Sequence, residues 1–153
     1  MSRRTPPQSI LVPLDLGDHA AQLFDYAVAL AGKLDAKVHV LHAVDWPKLG
    51  AELPASVSDE AMDAIVARHR QDLQQLAATY TGKASLGSVE LHIGDPRSVI
   101  TQAAEQLRVD MIVMGTHGRR GVSRVLLGSV AEQVARTAPC PVLLVRLAMA
   151  PVQ

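Results

Sequence analysis

Five short apolar runs, separated by longer segments of helical periodicity, constrain the fold of this chain most strongly. The runs cover residues 10–14, 38–44, 89–93, 111–114 and 142–145. They are rich in Val, Ile and Leu and are bounded by Gly, Pro or Asp, which is typical of β-strands. All but the third are almost continuously apolar, as expected when both faces of a parallel sheet are covered. The pattern therefore predicts a buried parallel sheet.

Helical patterns lie between these runs. Apolar residues recur at helical spacing over residues 20–34 and 62–80, and Gly82 is placed to end the second of these helices. Residues 95–96, an Asp-Pro pair, predict the start of a third helix. Ser129, followed three residues later by a glutamate, forms a capping-box pattern for a fourth. Four helices alternating with five strands are thus expected.

This alternation predicts an α/β fold: a single open five-stranded parallel sheet with two helices on each face. A chain of 153 residues is the usual size of one domain. We expect that domain to span residues 9–147, between a disordered tail at 1–8 and a second tail at 148–153. Residues 45–57, which contain two prolines, are expected to form an exposed irregular loop.

Composition excludes several classes of function. The formal net charge is zero and aromatic residues make up 3% of the chain, which argues against a nucleic-acid-binding protein. No apolar run approaches the roughly 20 residues that cross a bilayer. No apolar signal segment follows the polar start. The single cysteine, Cys140, allows no internal disulfide and suits a reducing cytosol. A cytoplasmic protein is therefore expected.

The densest glycine cluster follows the fourth apolar run. It reads GTHGRRG over residues 115–121 and continues to Gly128 and Ser129, where a helix is predicted to start. Glycines let backbone N–H groups approach a ligand closely, and a helix start offers unpaired N–H groups to phosphate. The chain has neither a Walker A loop nor a G-x-G-x-x-G after its first strand. The cluster is therefore interpreted as a phosphate-binding loop of another kind, with a simple tight turn as the alternative.

The spaced glycines, G-x2-G-x9-G-S from Gly115 to Ser129, resemble those of the universal stress protein family. VPLD near the start, HAVD at the end of the second run, GDP before the third helix and APCPVLLVR at the end add to the match. The resemblance covers residues 9–146 and points to the ATP-binding branch of the family. It implies the sheet order 3-2-1-4-5, the fold of the adenine nucleotide alpha hydrolases. The order reverses between the first and fourth strands, where open α/β sheets bind ligands.

The resemblance also implies an ATP site, with ADP or AMP as alternatives and Mg²⁺ held through the phosphates. Asp15 would lie beside the adenine and ribose, and the backbone of Ala43 would recognise the adenine edge. The implied binding residues are Pro13, Leu14, Asp15, Ala43, Met114, Gly115, Thr116, His117, Gly118, Arg119, Arg120, Gly128, Ser129 and Val130. No catalytic residue and no protein ligand to a metal are assigned.

Several of these residues have simpler explanations. Ser129 can serve as an ordinary helix cap, and a capped helix still offers N–H groups to phosphate. Asp15 can cap the first helix, and His117 can be a structural loop residue. His39 and His42 lie three apart on a predicted strand, hence on opposite faces, and cannot form a metal pair. Cys140, between two prolines, is expected to be a small buried residue.

An apolar last strand at a sheet edge would leave backbone groups unpaired, a liability that a second subunit relieves. The resemblance implies a homodimer through this strand, Val142, Leu143, Leu144 and Val145. The leading hypothesis is an ATP-binding stress-response sensor or regulator with an unknown downstream protein partner. One alternative is a slow ATPase or nucleotidyl-transfer enzyme of the same fold. The other is a dimeric interaction module that binds no nucleotide.

Overall fold

The computed structural model describes residues 5–116 and 127–147. Within them, five parallel strands form one sheet in the order β3-β2-β1-β4-β5. This confirms the predicted sheet and its order. The strands are β1 (Ser9–Pro13), β2 (Lys37–Val44), β3 (Leu86–Ile93), β4 (Met111–Gly115) and β5 (Val142–Val145). The helices are α1 (Ala20–Leu34), α2 (Trp46–Glu52), α3 (Asp59–Ala78), α4 (Pro96–Gln106) and α5 (Ser129–Thr137).

The strand order reverses between β1 and β4. β1 pairs with β2 from Ser9 opposite Lys37 to Pro13 opposite Leu41. On its other side it pairs with β4, where Ile10 lies opposite Met111. The chain passes from β1 to β2 and β3 on one side of β1 and then crosses over to β4 on its other side. The connections therefore diverge between β1 and β4, which opens a crevice beyond the carboxyl ends of these two strands.

Each face of the sheet packs against two long helices. Alternate residues of β1 point to opposite sides, so Ile10 and Val12 join one apolar cluster and Leu11 joins the other. The first cluster is completed by α1 and α3, with Phe24 fully buried. The second is completed by α4 and α5, with Val134 fully buried. Burial on both faces accounts for the continuous apolar runs of the central strands.

The segment at residues 45–57 differs from its prediction as an irregular loop, because α2 occupies residues Trp46–Glu52. Asp45 caps this helix by accepting a hydrogen bond from the Lys48 backbone N–H at 3.3 Å. Pro47 lies in the first turn, where a helix needs no N–H from it. The prolines therefore permit a short helix here.

The end of α3 also differs from its prediction. The helix ends at Ala78, and Gly82, whose φ is +83°, lies in the turn beyond it rather than at its end. Tyr80 is consequently outside the helix, but its ring still packs on Phe24 with centroids 4.3 Å apart. The apolar periodicity thus correctly marked Tyr80 as a core residue and overstated the length of the helix.

No helix in residues 5–116 and 127–147 combines the length and the apolar character needed to span a membrane.

Candidate functional site

A cleft of about 650 Å³ opens at the carboxyl ends of the strands. Its walls come from the ends of β1, β2 and β4, from α2, from the starts of α1, α4 and α5, and from α3 at His69. Ten predicted site residues line it together: Pro13, Leu14, Asp15, Ala43, Met114, Gly115, Thr116, Gly128, Ser129 and Val130. The other predicted residues, His117, Gly118, Arg119 and Arg120, lie outside the residues that the structure describes.

The loop between β1 and α1 forms one wall of the cleft. The Leu14 N–H continues the strand pairing by donating to the Leu41 carbonyl at 2.8 Å. The exposed Asp15 accepts a hydrogen bond from the Gly17 N–H through Oδ1 at 2.9 Å, which closes a tight turn. Leu16, inside this turn, has a left-handed φ of +59°. The turn directs the chain from the carboxyl end of β1 into α1 and places the Asp15 carboxylate at the cleft.

The opposite wall is the junction between β4 and α5. The Gly128 N–H donates to the Thr116 carbonyl at 2.7 Å and thereby ties the start of α5 to the end of β4. Gly128 is the N-cap residue, with φ −60° and ψ 150°, values that any residue adopts. Ser129 is the first helical residue, and no side-chain hydrogen bond caps the helix. The predicted capping box at Ser129 is therefore wrong, because the tie to Thr116 sets the cap one residue earlier.

The described helices begin in two different ways. α2, α3 and α4 are each capped by a side chain, from Asp45, Ser58 and Asp95 respectively. α1 and α5 have no side-chain cap among the described residues, and these two helices flank the crevice between β1 and β4. The backbone N–H groups in the first turn of α5 have no acceptor within the helix. They remain suitable donors to an anion, assisted by the helix dipole.

Two histidines that belong to no common sequence motif meet at the cleft. His42, on β2, is 4% exposed, and its Nδ1 lies 2.7 Å from the Leu14 carbonyl oxygen. Its Nε2 lies 3.0 Å from Nδ1 of His69, on α3. Both side chains line the cleft. The signal in the sequence was a histidine on a buried strand together with a second one in the apolar stripe of α3.

His39, on the same strand, contacts other groups. Its Nδ1 accepts a hydrogen bond from the Ser88 N–H at 3.0 Å and lies 2.9 Å from the Ser88 hydroxyl. Burial is the main cause that lowers the pKa of His39, and the charge of Lys37 lowers it further while Glu90 opposes them. Across the described ranges, no three His, Cys, Asp or Glu side chains are grouped as a metal site.

An exposed ion pair stands at the rim of the cleft. The Arg97 guanidinium donates to both carboxylate oxygens of Asp95, with the closest contact at 2.8 Å. These hydrogen bonds hold the pKa of Asp95 below its usual range. Cys140 lies away from the cleft and is half-buried, so it is more exposed than predicted, and burial raises the pKa of its thiol. A raised thiol pKa disfavours the reactive thiolate.

Fold and cleft together define the class: a doubly wound parallel α/β protein whose ligand crevice lies at the point where the strand order reverses. The chain belongs to the universal stress protein family, whose profile matches residues 7–146. A universal stress protein of Methanocaldococcus jannaschii is 35% identical over 144 residues, which are 91% of this chain and 82% of the relative. A putative universal stress protein of Staphylococcus haemolyticus is 33% identical, over 91% of this chain and 84% of the relative.

Solved structures share the same architecture. Universal stress protein UspA of Lactobacillus plantarum is 29% identical, with a TM-score of 0.70 over 91% of this chain and 97% of that one. More distant family members carry nucleotides. One from Archaeoglobus fulgidus is in complex with dAMP (20% identical, TM-score 0.62, 90% and 96% covered). One from Arabidopsis thaliana has AMP bound (17% identical, TM-score 0.60, 93% of both chains covered). A third is in complex with cAMP (21% identical, TM-score 0.66, 92% and 98% covered).

Proposed function

We propose that this chain binds an adenine nucleotide, ATP, in the cleft between β1 and β4 and acts as a nucleotide-dependent sensor or regulator in the stress response. Bound nucleotide shifts the balance between conformations that a downstream protein distinguishes, and it is not rapidly consumed. Mg²⁺ accompanies the ligand through its phosphate oxygens.

One observation carries the proposal. The ten described residues for which the sequence motifs predict nucleotide contacts come from separate segments, yet they line a single cleft. They arrive from the ends of β1, β2 and β4 and from the start of α5. Such convergence at the reversal of strand order is the general position of ligands in open α/β sheets. The cleft volume of about 650 Å³ is in the range of small-molecule sites.

The first turn of α5 is suited to the phosphates. The Gly128 N–H is already engaged by Thr116, so the donors that remain for an anion in the first turn include the N–H groups of Ser129 and Val130. In this proposal the outer phosphates accept hydrogen bonds from these two amides. Arg119 and Arg120, which the sequence places in the preceding segment, supply opposite charge. Asp15 and the backbone of Ala43 take the ribose and adenine end.

Related structures support an adenine ligand. The family members from Archaeoglobus fulgidus and Arabidopsis thaliana hold dAMP and AMP, and a third holds cAMP. All three ligands share an adenine base and at least one phosphate. The spaced glycines from Gly115 to Ser129 resemble those of the ATP-binding branch of the family, and this resemblance favours ATP among such ligands.

The oligomer and the compartment belong to the same proposal. β5 is an edge strand that pairs with β4 on one side within the described residues, and its four residues are half-buried. A second copy paired along Val142–Val145 would satisfy that edge, and we propose a homodimer built in this way within the cytoplasm. Residues 9–147 form its domain. A molecular mass of one chain in sedimentation equilibrium at micromolar concentration would contradict the dimer.

The decisive experiment pairs two substitutions at one position. Ser129→Pro removes an amide N–H at the first helical position, where proline fits, and Gly128 before it already has the extended backbone that proline requires. Ser129→Ala removes the hydroxyl alone. A charge-assisted hydrogen bond contributes about 1.5–3 kcal/mol, so Ser129→Pro should weaken ATP binding about tenfold to a hundredfold. Ser129→Ala should change it much less. Titration calorimetry with ATP and Mg²⁺ measures both.

Measurements on the purified wild-type protein distinguish the alternative functions. Nucleotide released from freshly purified protein, at about one per chain, supports the sensor if turnover with Mg²⁺ is negligible. Steady release of ADP would favour the enzyme. An empty protein whose melting temperature does not respond to ATP and Mg²⁺ would exclude the nucleotide proposal and leave the dimeric interaction module.

A further inference from the structure

Two imidazole rings connect three segments of the cleft. The Leu14 carbonyl, in the loop after β1, lies 2.7 Å from Nδ1 of His42 on β2. His42 Nε2 then lies 3.0 Å from Nδ1 of His69 on α3, and the ring centroids are 5.2 Å apart. Leu14 is followed directly by Asp15, so this chain of hydrogen bonds ends at the backbone that carries the proposed ribose contact.

The chemistry of the partners sets the tautomer of each ring. A carbonyl oxygen accepts hydrogen bonds and cannot donate, so Nδ1 of His42 carries a hydrogen. In neutral His42 the other nitrogen, Nε2, therefore has a lone pair. That lone pair accepts from Nδ1–H of His69. Both neutral rings are thus held in the Nδ1–H form, which is the less common tautomer of a free imidazole.

The pair accommodates one added proton and not two. With one added proton, the N–N contact still has a hydrogen on one side and a lone pair on the other. With two, an N–H on each ring faces the other across 3.0 Å, and two positive charges meet next to the buried His42. The contact between β2 and α3 at the cleft then breaks, because like charges at this distance repel strongly in a buried setting.

We propose that His42 and His69 are positioning residues of the cleft and make its affinity for an adenine nucleotide depend on pH. This inference rests on the proposed function. In its neutral or singly protonated state, the pair holds the Leu14 carbonyl, β2 and α3 in the arrangement that binds the nucleotide. The second proton separates His69 from His42, withdraws α3 from the wall of the cleft and weakens binding.

Other charged and titratable groups line the same cleft as the pair. They are Asp15 and His19 on the β1–α1 loop, Asp45, Lys48 and Glu52 at α2, and the Asp95–Arg97 ion pair at α4. On α3 itself, Arg68 pairs with Asp72 and points to solvent, with 74% of its side chain exposed. These groups shift the pH at which the pair takes its second proton. They do not change the number of protons the contact tolerates.

The first test uses the full chain without nucleotide. In ¹⁵N-labelled protein, the ring nitrogen shifts of His42 and His69 report which nitrogen carries the hydrogen at each pH. At pH 8 we expect both rings in the Nδ1–H form, followed by two separate protonation steps on lowering the pH. A neutral His42 in the Nε2–H form, or two rings that titrate independently, would overturn the proposal.

The second test compares the pH profile of ATP binding in matched variants. The amide of His69→Asn can take the place of Nδ1, and by turning over it can either donate to His42 or accept from it, without ever gaining a charge. Wild-type affinity should fall about tenfold for each pH unit below the second protonation, relative to His69→Asn at the same pH. The ionisation of the ATP phosphates is common to both proteins and cancels in the ratio.

Two further variants separate positioning from general damage. His69→Leu removes the contact, so its affinity should be reduced at all pH values, whereas His69→Asn should match the wild type at pH 7.5. His92→Asn is the control, because His92 pairs with Glu90 outside the cleft, and it should retain the wild-type profile. Parallel profiles for wild type and His69→Asn would overturn the proposal. If ATP did not bind at any pH, the proposed function would be overturned together with the pH-dependent affinity. The ring nitrogen shifts of His42 and His69 would still show whether the two histidines titrate as a coupled pair.

Discussion

The two halves of β2 each contain a histidine whose Nδ1 is hydrogen bonded to the backbone, but the hydrogen bonds run in opposite directions. At the amino half, His39 Nδ1 accepts from the Ser88 N–H of β3. At the carboxyl half, His42 Nδ1 donates to the Leu14 carbonyl. His39 is therefore held as the Nε2–H tautomer and neutral His42 as the Nδ1–H tautomer.

The difference reflects what each half of the strand does. Around His39 the pairing between β2 and β3 is irregular, with a register shift between Val38 and Val40, and the ring satisfies a backbone donor there. Around His42 the pairing is regular, and the ring instead reaches across to a loop and a helix at the cleft. One histidine completes the sheet, and the other connects the sheet to the site.

The largest effect is expected from His42→Leu. This change leaves the Leu14 carbonyl without its donor in the interior, and an unsatisfied buried group costs about 1–3 kcal/mol. We expect a loss of about 2 kcal/mol in the free energy of unfolding by urea denaturation. His92→Leu, at a half-exposed position on the neighbouring strand, should cost about 0.5 kcal/mol or less. Equal losses for the two variants would show that the hydrogen bond from His42 to the Leu14 carbonyl adds nothing to stability.

A smaller effect is expected from Gly87→Ala on β3. A Cβ at this position would come within 2.4 Å of His39 Cε1, so the ring must move and give up its hydrogen bond with Ser88. We expect a loss of about 1–2 kcal/mol in unfolding free energy, as for other overpacked sites. Gly32→Ala, in the exposed part of α1 with open space around it, should instead stabilise by about 0.5–1 kcal/mol. If Gly87→Ala left the free energy of unfolding unchanged, the His39 ring would not be fixed in this position.

The smallest effect concerns pH. Since the pKa of His39 in the folded protein lies below its usual value near 6.5, the unfolded chain takes up this proton first. Stability present above pH 6.5 is therefore lost as the pH falls through 6.5 to the lower, folded-state pKa. His39→Asn keeps an acceptor for Ser88 and removes the titration, so its unfolding free energy should decline less between pH 7 and 5. Lys37→Gln removes only the smaller cause of the lowered His39 pKa, the charge of Lys37. Its unfolding free energy should therefore decline with pH at a slope between those of the other two proteins. Coincident pH profiles for all three proteins would contradict this assignment.

The sheet was predictable because its signals are local. The central strands β1, β2 and β4 are apolar runs that are buried on both faces of the sheet, and Asp95 with Pro96 marks the start of α4 as predicted. The short α2 begins with a similar signal, Asp45 as a cap and a proline in the first turn. It was missed because a seven-residue helix has no buried face to give it periodicity.

Two further differences from the sequence predictions involve contacts between distant parts of the chain. The cap of α5 moved to Gly128 because its N–H bonds to Thr116 at the end of β4, which the local Ser129-x-x-Glu132 pattern cannot reveal. The contact between His42 and His69 depends on how α3 crosses the sheet. Gly115, Gly128 and Ser129 of the cleft were predictable from the glycine cluster alone, whereas Ala43 needed the family resemblance, because spacing does not assign a ligand to it.

The short helix α2 also has an optical consequence. It begins at Trp46, the one tryptophan of the chain, and this side chain is half-buried. Lys48, Leu49 and Glu52 of the same helix line the cleft. Indole emission responds to the polarity and motion of its surroundings, so tryptophan fluorescence from this protein reports from one wall of the cleft alone. The unlabelled chain therefore carries an intrinsic probe with which occupancy of the cleft can be followed in real time.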